Sequence, residues 1–157
     1  MNTETTRYWL GVVCANHVER GVAGGFAQLC HGKATPLRRM KAGDWLIYYS
    51  PSTEMRGGRP LRAFTALGQV VDDRVFSHDL GEGFVPFRRR VRYQAVRTVP
   101  LAELSGRLHL TARPHWGMAL RRGHLALDQH DFELVSGAMH LGAVAGEPPD
   151  TFLSWLW

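Results

Sequence analysis

The densest chemistry in the chain lies in Gly24-Gly-Phe-Ala-Gln-Leu-Cys-His-Gly-Lys-Ala-Thr-Pro-Leu37. Glycines let a backbone approach a ligand, Phe26 offers a face for stacking, and Gln28 can read a hydrogen-bonding edge. Lys33, beside His31 and Gly32, offers a point charge for a phosphate. A second candidate set is metal-like: Cys14-x-x-His17 and Cys30-His31 together present four zinc-type side chains. Neighbouring residues of an extended segment point to opposite sides, so Cys30 and His31 cannot readily share one tetrahedral ion. Cys14, at the end of an apolar run, reads instead as a small buried residue. No metal or other cofactor is therefore expected. Neither thiol sits in a nucleophile signature, and the acids fall mainly in turns and helix starts. Phosphate-loop and dinucleotide-binding glycine patterns are missing as well. An enzyme is the weaker expectation.

The third set is cationic. Arg88, Arg90 and Arg92 alternate with Phe87, Arg89, Val91 and Tyr93. On a strand this lines up three guanidinium groups at intervals of roughly 6.6 Å, close to the phosphate spacing of an extended nucleic acid strand. An exposed sheet edge protected by charge would show the same pattern. These arginines belong to a wider bias. Lys and Arg number 19 against 14 Asp and Glu, for a net charge of +5. Nine arginines and a single acid, Glu103, fall between Pro86 and Arg122, whereas the chain from Gly123 onward holds five acids and no Lys or Arg. Segregation of this kind suits one basic surface facing a polyanion, or a solvated face.

The elements that must position these residues follow from composition and periodicity. With 157 residues and 45% apolar content the chain is expected to form one globular domain, not a disordered segment. Its early apolar run, Trp9 to Ala15, is far short of the ~20 residues a membrane span needs. Met1 to Arg7 lacks the basic start and apolar stretch of a signal peptide, so a cytoplasmic protein with reduced thiols is expected. Arg7 to Val13 reads as a buried strand, and Asn16 to Arg20 as a short helix capped by Asn16 and ended by the following glycines. Asp44 to Ser50 is a second strand stopped by Pro51. After the glycine-rich stretch Met55 to Pro60, a long strand is expected from Leu61 to Val71, with Asp72-Asp73 as a turn. Phe87 to Val99 is a further strand, Pro100 to Leu104 a single helical turn, and Gly123 to Leu127 a last short strand. Asp128 then caps a helix whose buried face carries Phe132, Val135, Ala138 and Met139. The result is an α+β domain, mostly β, spanning 1–157, with a core of about 7–141 and an acidic tail at 142–157 that ends in Trp155 and Trp157.

The order of motifs resembles a known family. Tyr8-Trp-Leu-Gly-Val-Val13, His17, Gly25-Phe-Ala-Gln28, His31-Gly-Lys33, Pro36-Leu37 and Gly43-Asp-Trp-Leu-Ile-Tyr-Tyr-Ser-Pro51 are similar to the stand-alone EVE-domain proteins. The likeness continues through Phe64-Thr-Ala-Leu-Gly-Gln-Val-Val71, Pro86-Phe-Arg-Arg89, Trp116-Gly117 and Asp131-Phe132. It implies a PUA-like fold, a small curved β-barrel flanked by short helices, and kinship with YTH domains. It further implies a non-catalytic reader of a modified base in RNA or DNA. Carried over residue by residue, the base pocket is expected from Cys14, Asn16, His17, Phe26, Gln28, Tyr49, Ser50, Pro51 and Trp116. Phosphate contacts are expected from His31, Gly32, Lys33, Arg88, Arg90 and Arg92. The family often has Ser where this chain has Cys14, so a weaker thiol replaces a hydroxyl. Trp45 and Trp9 are expected in the core. Two other readings stay open: a small-molecule or nucleotide-binding protein or enzyme using the same pocket, and a homodimer formed through the Trp155/Trp157 tail.

Overall fold

The computed structural model describes residues 5–142, so the Trp155/Trp157 tail and the dimer expected from it lie outside the described residues. Strand β1 (Tyr8–Val12) leads into helix α1 (Ala15–Gly24) and the two-residue strand β2 (Phe26–Ala27). A tight left-handed turn at Cys30–Gly32 precedes α2 (Ala34–Arg39), then β3 (Trp45–Ser52), the 18-residue β4 (Pro60–Ser77) and β5 (Phe87–Tyr93). After β6 (Val99–Pro100) and a helical turn at Leu101–Leu104 come α3 (His109–Ala112), α4 (Trp116–Leu120), β7 (His124–Leu127) and α5 (Gln129–Met139).

The strands form one mixed sheet in the order β2-β5-β4-β3-β1-β7, with β6 pairing the start of β4 at Ala63 and Phe64 on the side away from β3. β1 and β3 are parallel, as the α1 to α2 crossover between them requires; the other pairs are antiparallel. The sheet is open, which corrects the expected barrel. Its end strands, β2 and β7, hold only two and four residues. Just beyond them the two ends meet through a thiol instead of a ladder, with Cys30 Sγ 3.4 Å from the Arg122 carbonyl.

Period-two alternation divides the apolar residues between two cores, one on each face. Leu10, Ile47, Leu67, Leu125 and Leu127 pack against Phe132, Val135 and Met139 of α5. Trp9, Leu46, Tyr48, Val70 and Val91 pack against α1 and α2 through Val18, Leu37 and Met40. Trp45 is half-buried against the first cluster, and Trp9 is buried with its ring stacked on His124 at 4.7 Å. Asp44 ties the start of β1 to the loop before β3, accepting the Trp9 indole N–H at 2.9 Å and the backbone N–H groups of Arg7 and Lys41.

Several boundaries differ from expectation for local reasons. Cys14, not Asn16, is the N-cap of α1, and the helix runs through Gly21 to Gly24 before Gly25 turns left-handed. Gly21 serves close packing, since a Cβ there would stand 2.6 Å from the Phe26 carbonyl. Pro51 does not stop β3 but lies within it. Asp72-Asp73 is a bulge inside β4, not a turn. Asp72 bonds the Arg74 N–H, Asp73 bonds the Ala42 N–H, and pairing with β5 resumes at Val75. β5 ends at Tyr93, well before Val99. Asp128 caps α5 as expected, accepting the Asp131 N–H at 2.8 Å.

Candidate functional site

A cleft of about 1410 Å³ opens where the carboxyl ends of β1 and β3 meet the start of β4 and the entry to β7. Its floor comes from Val12, Val13 and Cys14 and from Tyr49, Pro51 and Ser52; the turn at Cys30–Gly32 and helix α4 form opposing walls. It lies where the sheet fails to close, between the segments that follow β2 and precede β7.

The lining is strongly one-signed. Arg20, Lys33, Arg62, Arg88, Arg121 and Arg122 contribute to it with His17 and His31, and no Asp or Glu does among the described residues. The N-terminus of α1 opens on the same space and adds the positive end of its dipole. Burial, then Arg20, then His31 hold the His17 imidazole below its ordinary value, which favours the neutral form. Burial pushes the Tyr48 phenol up to about 12, partly offset by Tyr93 and the Gln28 backbone.

Backbone strain gathers here too. Cys30, His31 and Arg62 line the cleft with positive φ, and His115, also at positive φ, caps the helix that carries Trp116. Of the five non-glycine residues with positive φ among the described residues, the fifth, Glu82, sits in the loop between the cleft-lining Leu80 and Phe84 without lining the cleft itself. Non-glycine residues in the left-handed region cost of order 1 kcal/mol or more and persist where surrounding structure imposes them. Gly32 continues the left-handed turn, and a Cβ there would stand 2.5 Å from Pro86, pressing the turn onto the hairpin before β5.

The structure brings together Cys14, His17, Phe26, Gln28, His31, Lys33, Tyr49, Pro51, Arg88 and Trp116 around this cleft. It leaves five expected residues outside the lining. The Asn16 side chain accepts the Cys14 thiol, and its backbone N–H goes to Thr53. Ser50 is buried and hydrogen-bonded to Thr65 at 2.8 Å. Gly32 is buried behind the turn, and Arg90 and Arg92 are exposed further along β5. Phe26, expected to offer a face for stacking, already has one face covered. The Arg88 guanidinium lies 3.7 Å over the Phe26 ring while its Nε donates to Gln28 Oε1 at 3.0 Å. Tyr49 is only 5% exposed and meets Phe64 edge-on. The aromatic faces left to a ligand are those of half-buried Trp116 and of Phe84, which is 44% exposed. Sequence reasoning did not reach Arg20, Arg62, Arg121, Arg122 or Phe84. Arg121-Arg122 lay in the basic stretch, but nothing local marks the others.

A sequence profile of the EVE domain matches residues 7–138. The chain belongs to the EVE-domain family. Two relatives are UPF0310 proteins. That of Streptococcus sanguinis is 44% identical over 146 residues, covering 90% of this chain and 99% of its own. The protein described as UPF0310 protein in gntR 5'region, from Bacillus licheniformis, is 45% identical over 121 residues, covering 76% of this chain and 82% of its own. A solved structure of a hypothetical protein from Leishmania major superposes with a TM-score of 0.54 at 10% identity, covering 83% of this chain and 92% of that one. At that identity the likeness speaks for the fold alone. Among the described residues of this EVE domain no helix is long and apolar enough to cross a membrane.

Proposed function

We propose that this EVE domain is a non-catalytic nucleic-acid-binding module that holds one base, carrying a modification, in the cleft. The observation that carries the reading is the lining: six Lys or Arg side chains with the aromatic faces of half-buried Trp116 and exposed Phe84, and no carboxylate among the described residues. Such a space attracts a phosphate backbone and offers stacking surfaces to an unpaired or flipped base. Arg88, flat on Phe26, presents a guanidinium plane on which a base can also stack. Gln28 and the neutral His17 supply edge contacts, and Trp116 or Phe84 closes the other side. The open PUA-like sheet leaves the cleft beside its seam for the strand to enter.

The thiols support a binding role over a nucleophilic one. Burial pushes the Cys30 thiol up, against the lowering pull of Lys33 and Arg39, and the Cys14 thiol is engaged with Asn16. A methyl mark adds roughly 0.8 kcal/mol per buried carbon, so polar edge contacts must supply most of any strong preference.

Fluorescence anisotropy of the full chain tests the reading, using RNA and DNA oligonucleotides with and without modified bases across a salt series. Affinity is expected to fall steeply with salt and to rise with one modification. Salt-independent affinity, or turnover of the base, overturns it; turnover would make the cleft an active site.

A further inference from the structure

Away from the cleft, α3 meets the start of α5 around four side chains of ligand chemistry. His109 opens α3, Asp128 is the N-cap of α5, and His130 and Asp131 lie in its first turn. One ligand atom of each lies within 4.8 Å of the others. The two imidazoles are stacked, with centroids 3.8 Å apart and planes 10° from parallel. His109 Nδ1 is 2.8 Å from Asp128 Oδ2, and His130 Nδ1 is 2.9 Å from Asp131 Oδ1. We propose that His109, Asp128, His130 and Asp131 form a site for one zinc ion, which clips α3 to α5.

Two imidazole nitrogens and two carboxylate oxygens make a donor set suited to zinc, whereas magnesium and calcium prefer oxygen alone. A tetrahedral ion with bonds of about 2.0–2.1 Å spaces its donors about 3.3 Å apart. The separations here bracket that value, from 2.8 Å to 4.8 Å, and the two imidazoles must turn out of their parallel stack so that both ring planes meet at the ion. The carboxylates are already aimed by outer contacts. Asp131 is buried and accepts the backbone N–H groups of His109 and Leu110 at 2.8 and 2.7 Å. Asp128 accepts the Asp131 N–H. A carboxylate has about four lone-pair sites, so each keeps these bonds while giving one oxygen to a metal. Fixed outer bonds of this kind orient ligands in known metal sites. His109, Asp128 and His130 are exposed, so an ion can enter. On binding, a neutral imidazole moves its proton from the ligating nitrogen to the other ring nitrogen, and an imidazolium releases one to solvent. The two negative charges offset the +2 of the ion.

The placement gives the site a consequence. From α3 the chain passes directly into α4, which supplies Trp116 to the cleft, and then to Arg121 and Arg122. A zinc clip would fix the root of that wall, whatever ligand the cleft takes.

The test is a calorimetric titration of the chelator-stripped full chain with zinc sulfate, repeated against a competing chromophoric chelator. One zinc per chain is expected, weakened at least ~10-fold in His109→Asn and in His130→Asn and unchanged in Cys30→Ser. Zinc should also raise the unfolding midpoint of the unmodified chain but not of the double His variant. Failure to take up zinc stoichiometrically, uptake that survives in the double variant, or uptake lost in Cys30→Ser overturns the proposal. If the double variant does not fold, nitrogen chemical shifts of the unmodified chain decide: zinc must move the His109 and His130 ring signals, and unmoved signals overturn the site.

Discussion

The two faces of β5 put the same residue type to opposite uses. Arg89 points inward and is 1% exposed; its NH1 donates to the carbonyls of Leu37 and Met40, each at 2.7 Å, and its NH2 to that of Asp72. It thereby holds the carboxyl end of α2 and the bulge of β4 against one another, as basic side chains do at helix C-termini. One residue earlier, Arg88 points outward onto Phe26 and into the cleft; Arg90 and Arg92 follow on the same face, exposed. Local sequence does not separate the four arginines in kind. Their phase on a strand does, because alternation sends one to backbone carbonyls and three toward solvent. The lesson is that net charge overstates the binding surface: part of the +5 is structural.

The largest effect should come from the inward face. Arg89→Met removes a cation that serves three buried carbonyls, and unsatisfied buried groups cost about 1–3 kcal/mol each. A loss of about 3 kcal/mol or more is expected in urea unfolding, with little change in oligonucleotide affinity of the protein that remains folded. A loss below about 1 kcal/mol would dissolve the contrast between the two faces.

His124 extends the contrast to a base that is buried without charge. It is 2% exposed, neither ring nitrogen has a hydrogen-bond partner among the described residues, and burial, with Arg39 adding to it, lowers its pKa from 6.5 to about 4. Between those values the unfolded chain binds the proton and the folded chain does not, so stability falls as pH drops from 6.5 toward 4. The loss is on the order of 3 kcal/mol, levelling off below the folded value. His124→Leu should flatten this part of the stability curve. An unchanged slope between those limits, measured by urea unfolding at a series of pH values, would show that another group carries it.

How much of this was legible depended on whether the deciding contacts were local. The phase of β5 and the Asp128 cap with Asp131 three residues on are short-range patterns, and both were read directly. The extent of α1 was not, because Cys14 lacks the oxygen that marks a strong cap and Gly21 looks like a breaker while serving contact with Phe26. Asp72-Asp73 has turn chemistry, yet Arg89 and Ala42 capture it from other segments and turn it into a bulge. Closure of the sheet hinges on strands of two and four residues, too short for any pattern to announce. The candidate site divides the same way. The loop from Gly24 to Lys33 declared itself by composition, while Arg20, Arg62 and Phe84 reach the cleft only through strand pairing and helix packing.

On the outward face, Arg88→Ala comes next in size. It removes a charge from the cleft and uncovers Phe26, while Gln28 loses the donor at 3.0 Å. Oligonucleotide affinity should fall about 10-fold, roughly 1.4 kcal/mol, with the unfolding midpoint changed little, since the side chain is only partly buried. An affinity that holds while stability drops would move Arg88 into the structural class with Arg89.

The smallest effect belongs to Arg90 and Arg92, and it decides how far the nucleic acid extends. Both are exposed outside the cleft, Arg90 lies 5.7 Å over Phe76, and neither takes part in an ion pair among the described residues. If a strand leaves the cleft along β5, each neutralises about one phosphate. Arg90→Ala or Arg92→Ala should then lower the slope of log affinity against log salt by ~0.7–0.9, with a few-fold loss at low salt. Preference for a modified base should not change, because phosphate contacts carry no base information. Slopes that stay put would mean that these arginines only keep the outer face of the sheet solvated, and that the polyanion is gripped wholly by Arg20, Lys33, Arg62, Arg88, Arg121 and Arg122.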